Sequence, residues 1–119
     1  MQEYVKVIKS EDTISVCFYI EHTKPFELGE KMQEINEEAY MNGYNWEAFW
    51  NYYLEKYKSD LYQDLETDSE AGMYCAYYEL TNQGEEKAIQ FANLISTMVE
   101  AEEEIYRILR EESDDIEWD

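Results

Sequence analysis

The chain has 119 residues with 29 acidic and 9 basic side chains, a formal net charge of −20. That length suits one domain with its own hydrophobic core, and the charge excludes phosphate binding, which takes Lys and Arg, and contact with anionic membranes. No apolar run approaches the ~18–20 residues of a membrane span, and the opening MQEYVKVIKSED lacks the basic-then-apolar layout of a signal peptide, so a cytoplasmic protein is expected.

Tyr4 to Lys9 reads as a strand, with Val5 and Val7 on one face. Ser10-Glu11-Asp12 is a turn between β-rich runs. From Thr13 to Ile20, the residues Ile14, Val16, Phe18 and Ile20 alternate with Thr13, Ser15, Cys17 and Tyr19, the period of a strand. The two strands form an antiparallel hairpin. Pro25 suits the first turn of a helix, where its missing N–H costs nothing. His22 lies in the connection before it and is assigned no role. Leu28 to Met41 reads as helical, with Leu28, Met32, Ile35 and Ala39 inward and Glu34, Glu37 and Glu38 toward water.

Asn42-Gly43 reads as the stop of that helix, Gly taking positive φ without strain. Asn45 reads as the N-cap of the next. From there Trp46, Phe49, Trp50, Tyr53, Leu54 and Tyr57 form one apolar stripe at helical spacing, the expected heart of the core. Lys58 to Glu70 is acidic and irregular, with room for one helical turn at Leu61, Tyr62 and Leu65. Residues 60–86 hold eight acids and no base. Ala71 to Leu80 reads as a strand with bulk on both faces: Met73, Cys75 and Tyr77 on one, Tyr74, Ala76, Tyr78 and Leu80 on the other. This pattern suits an interior strand.

Asn82 with Glu85 has capping-box spacing. The helix after it turns Ala88, Phe91, Ala92, Ile95, Met98 and Val99 inward, skips Glu102, and resumes at Ile105, Tyr106 and Leu109. Either one helix runs to about Arg110 or two segments meet near Glu100 to Glu104, where like charges repel. The order ββααβα predicts an α+β fold: a small antiparallel sheet of about three strands packed by three helices. Residues 1–110 form the domain, and 111–119 form an acidic tail in which Trp118 either docks or hangs free.

Chemistry is sparse. The one His and the two Cys, Cys17 and Cys75, show neither nucleophile–base nor zinc spacing. A disulfide is not expected without an oxidising compartment. There is no glycine-rich phosphate loop. The run Asp64, Glu66, Asp68, Glu70 lacks the glycine and terminal Glu of a calcium loop. No catalytic residue, metal or cofactor is assigned.

Two motifs, GYNWEAFWNYYL at Gly43 to Leu54 and DSEAGMYCAYY at Asp68 to Tyr78, resemble the immunity protein 51 family of bacterial polymorphic toxin systems. The likeness covers about residues 1–100. Ser69 stands where the family pattern leads one to expect a proline, and the acidic stretch past about Val99 reads as an addition. The resemblance implies a small α+β binder that neutralises a cognate toxin C-terminal domain. The charge adds that this partner is basic, with neither nucleic acid nor membrane bound, and the resemblance implies a nuclease as the expected case, since many toxin domains of such systems are nucleases. The alternative is a nucleic-acid mimic that blocks a DNA- or RNA-binding protein. The expected contacts are Asp60, Asp64, Glu66, Asp68 and Glu70, with Tyr62, Tyr74 and Tyr78 as aromatic anchors, since complementary charge speeds encounter and a few anchors carry affinity. The sequence assigns no oligomeric state.

Overall fold

A computed structural model describes residues 2–119. Strand β1 (Val5–Lys9) and strand β2 (Thr13–Phe18) form the expected hairpin, closed by Ser10 N–H donating to the Thr13 carbonyl at 2.8 Å. Helix α1 covers Thr23–Ile35, with Pro25 buried in its first turn. Helix α2 covers Gly43–Tyr57 and a single turn, α3, covers Ser59–Tyr62. A two-residue strand β3 (Glu66–Thr67) precedes β4 (Tyr74–Glu79). Helix α4 runs Asn82–Ala101 and α5 runs Glu103–Glu111, followed by a 3₁₀ turn at Ser113–Asp115. The architecture is α+β, as the order of elements predicts, with four strands and five helices among the described residues rather than about three of each.

The sheet is antiparallel throughout in the order β1-β2-β4-β3, so β4 is interior. Its inner face presents Val5, Ile14, Val16, Phe18, Tyr74, Ala76 and Tyr78, all buried. Helix α4 lies against β1, β2 and β4, and α2 lies against β4. Between sheet and helices the α2 stripe packs edge-on: the Trp46 ring meets Phe18 at 4.9 Å, and Trp50 meets Phe49 at 5.0 Å and Phe91 of α4 at 6.0 Å. These are the separations at which aromatic pairs attract through their quadrupoles.

Local expectations fail at several ends. Helix α1 stops at Ile35, not Met41, because Asn36 turns extended and its Oδ1 accepts from Glu38 N–H at 3.0 Å, a local bond that competes with the helix. Ala39 stays buried, but in the connection. Asn42, not Asn45, caps α2: its Oδ1 accepts from Asn45 N–H at 2.9 Å. Gly43 is the first helical residue, and no glycine has positive φ. It is needed for close approach, since a Cβ there would stand 1.7 Å from the Glu70 carbonyl oxygen. Likewise Thr81, not Asn82, caps α4, its hydroxyl accepting from Gly84 N–H at 3.0 Å.

Of the two readings for the C-terminal third, two segments is the one observed. They meet at Glu102, which has φ 43°. Non-glycine residues hold this backbone only when their surroundings impose it. Here Lys24 of α1 pairs with the Glu102 carboxylate, and the Tyr106 hydroxyl donates to it at 2.9 Å. The break lets α5 fold back and bury Ile105, Ile108 and Leu109.

Candidate functional site

The five carboxylates expected to make contact are all exposed. Asp60 sits on α3, Asp64 follows at φ 66°, Glu66 lies on β3, and Asp68 and Glu70 lead into β4. The Asp68 N–H donates to the Cys75 carbonyl at 2.9 Å, so the acidic segment forms the edge of the sheet. Ser69 uses its hydroxyl to accept from Cys75 N–H at 3.3 Å. Beside this edge a cleft of about 380 Å³ is lined by Asp64, Glu66, Tyr77 and Glu79, and also by Lys87. The Lys87 ammonium lies 3.9 Å from Asp64, so this end of the edge is partly neutralised.

The expected aromatic anchors divide. Tyr62 is half-buried and open on one side. Tyr74 and Tyr78 are 0% and 2% exposed, so neither can touch a partner in this fold. The Tyr78 hydroxyl donates to the Leu61 carbonyl at 2.5 Å, and burial holds the Tyr74 phenol well above its ordinary pKa. The reason is register: even-numbered residues of β4 face the helices, while Tyr77 faces the other way.

A second feature was not foreseen. Tyr62 looks into a hollow of about 450 Å³ between the outer face of α2 and the C-terminal segment. Tyr44, Tyr52 and Trp118 join it, and its carboxylates are Glu47, Glu55, Asp115, Glu117 and Asp119. Among the described residues no base lines it. A sequence signal existed: Tyr44, Glu47, Ala48, Asn51, Tyr52 and Glu55 repeat at helical spacing on the side of α2 away from the core stripe.

The hollow exists because residues 111–119 pack onto the fold. Trp118 docks, its indole N–H donating to Ser113 Oγ at 3.3 Å, and Ile116 is buried. The Asp119 N–H donates to Asn45 Oδ1 at 2.6 Å. Glu112 is the anchor. Its carboxylate accepts from the Tyr52 hydroxyl at 2.5 Å, the Tyr57 hydroxyl at 2.6 Å, the Arg107 guanidinium at 2.7 Å and the Lys56 ammonium at 2.8 Å. Burial opposes its ionisation, yet these four donors outweigh burial and hold the carboxyl well below the usual range.

A depressed carboxyl stabilises the fold above its unfolded value, 4.5, and that stability is lost as pH falls toward the depressed one. Glu112→Gln should therefore cost about 1–2 kcal/mol at pH 7, with water at the rim screening the charged bonds. In urea titrations at pH 7 and pH 3 the variant should differ from the parent far more at the higher pH.

The immunity protein 51 family model matches residues 5–114. The chain belongs to this family. The match passes well beyond Val99, so α5 and the Glu112 anchor fall inside the family's shared unit, and the expectation of an appended stretch after Val99 is corrected. An immunity protein implies a toxin as partner. No curated protein and no solved structure matches the chain.

Proposed function

We propose that this immunity protein neutralises a cognate bacterial toxin domain by binding a basic surface of it, with a nuclease as the best-fitting partner. A nuclease must offer cations to phosphates, and an acidic inhibitor can cap them. The observation that carries the reading is the hollow, whose lining among the described residues sets five carboxylates and no base around Tyr44, Tyr52, Tyr62 and Trp118, the Lys56 ammonium beside Tyr52 being paired with Glu112. The exposed Asp60, Asp64, Glu66, Asp68 and Glu70 extend the same negative field from Tyr62 along the sheet edge. Rigid amphipathic rings amid charge are the usual make-up of an interface whose on-rate is steered and whose affinity rests on a few anchors. The protein acts as a stoichiometric binder, without catalysis.

The test is co-expression with the toxin domain encoded beside it, together with association kinetics. Glu47→Lys with Glu55→Lys should slow association about 10- to 100-fold at low salt and flatten its salt dependence. Asp64→Lys with Glu66→Lys and Asp68→Lys should act in the same direction, less strongly, because Lys87 already offsets that end. Unchanged rates and full protection in both variants would place the contact elsewhere and defeat the charge-capping reading.

A further inference from the structure

Cys17 and Cys75 are far apart in the chain but directly paired between β2 and β4. Both are free thiols, and their sulfurs are 3.6 Å apart. The Cys75 carbonyl accepts from Asp68 on the β3 side, and Leu80 N–H donates to the Asp12 carbonyl between β4 and β2. Alternation along the ladder then makes Cys17 and Cys75 a non-hydrogen-bonded pair, the kind with Cα atoms about 4.5 Å apart and side chains closest. That separation lies within disulfide range. Bond formation needs the sulfurs to close by only about 1.5 Å, without a change of register. The thiols are unequal in access: Cys17 is buried and Cys75 half-buried.

We propose that Cys17 and Cys75 form a reversible modification site, a dithiol that a small uncharged or cationic disulfide converts to an internal Cys17–Cys75 disulfide. The hydrogen bond from Cys75 stabilises a Cys17 thiolate against the opposing effect of burial, pulling Cys17 down to about 7. The same contact, burial and the nearby Asp68 and Glu70 carboxylates push Cys75 up. The pair thus gives up one proton readily and shares the other. In the first step the proton between the two sulfurs passes to Cys17, which leaves the more accessible Cys75 sulfur as the thiolate that attacks one sulfur of the reagent. The reagent's S–S bond breaks, and one small thiolate leaves and takes up from water the proton that the pair gave up first. In the second step the Cys17 thiolate attacks Cys75 Sγ, forms the internal bond and expels the second small thiolate, which takes up the Cys17 proton. The protein loses two electrons and two protons, and the reagent gains both as two thiols. The net charge of −20 and the carboxylates of Asp68 and Glu70 disfavour an anionic reagent.

The test uses the native reduced protein with cystamine or with oxidised glutathione, read by intact mass and by alkylation with iodoacetamide. The expected product has lost two hydrogens, takes up no iodoacetamide, and has a thermal midpoint raised by about 5 °C or more. Cystamine should react at least about 10-fold faster than oxidised glutathione at low salt, with the gap narrowing at high salt. Cys17→Ser should stop at a mixed disulfide on Cys75. Wild-type protein that keeps two alkylatable thiols, or that accumulates mixed disulfides without closure, would overturn the site. Equal rates with both reagents would overturn the charge selection.

Discussion

Trp50→Ala should cost about 3–5 kcal/mol, the range for removing a large aromatic from a core that cannot collapse around the void. Trp50 is 0% exposed. Its ring lies within 6.4 Å of five others, stacked on Trp46 and edge-on to Phe18, Phe49, Tyr53 and Phe91. Those rings come from β2, α2 and α4, so the void would open where sheet and both long helices meet. A domain of this size has about 5–15 kcal/mol in all, and the variant should lose a large part of it in urea unfolding followed by far-UV circular dichroism. Trp50→Phe is a sharper check. The Trp50 indole N–H is buried without a partner among the described residues, and an unsatisfied buried donor is itself a cost. Phenylalanine removes that donor and keeps most of the ring, so the loss should be only about 1–2 kcal/mol. A loss near that of alanine would mean that ring volume alone matters there.

Gly43→Ala is the second large effect, expected at about 3 kcal/mol or more, toward the severe end of overpacking. The added methyl would stand 1.7 Å from the Glu70 carbonyl oxygen and 2.7 Å from that of Met73, both backbone atoms. It cannot be absorbed by rotating a side chain. It would push the first turn of α2 off the Glu70–Met73 bridge, where Gly43 N–H donates to the Ala71 carbonyl at 2.7 Å. Since Asp68 and Glu70 ride on that turn, the acidic edge should shift as well. Gly72→Ala is the control: its methyl would meet only the flexible Glu21 carboxylate, at 3.3 Å. Its φ is not positive, so it should be neutral or gain a few tenths of a kcal/mol. Comparable losses for the two variants, measured by thermal and urea unfolding, would contradict the close-approach account.

The elements that were legible were those whose signal lies within a few residues. The alternation at Ile14, Val16 and Phe18 and the stripes Trp46 to Leu54 and Ala88 to Val99 are buried as read, but Tyr57, read into the same stripe, is exposed at the end of α2, where its hydroxyl reaches Glu112. Ends were read less well, because a cap depends on which of two neighbouring polar side chains reaches the free amides. Asn42 competes with Asn45, and Thr81 with Asn82. The acidic segment was legible as exposed. Which tyrosines faced outward was not, because both faces of β4 carry bulk and only the position of the helices decides between Tyr77 and the pair Tyr74 and Tyr78.

Local periodicity and composition thus determined the α+β class, the inward faces and the negative charge, for these follow from each residue and its near neighbours. The hollow, the Glu112 anchor, the paired thiols and the need for glycine at Gly43 were decided only by tertiary structure. Asn45 meets Asp119 across 74 positions and Cys17 meets Cys75 across 58. Such meetings depend on where whole elements come to rest, and short-range spacing carries no information about contacts of that reach.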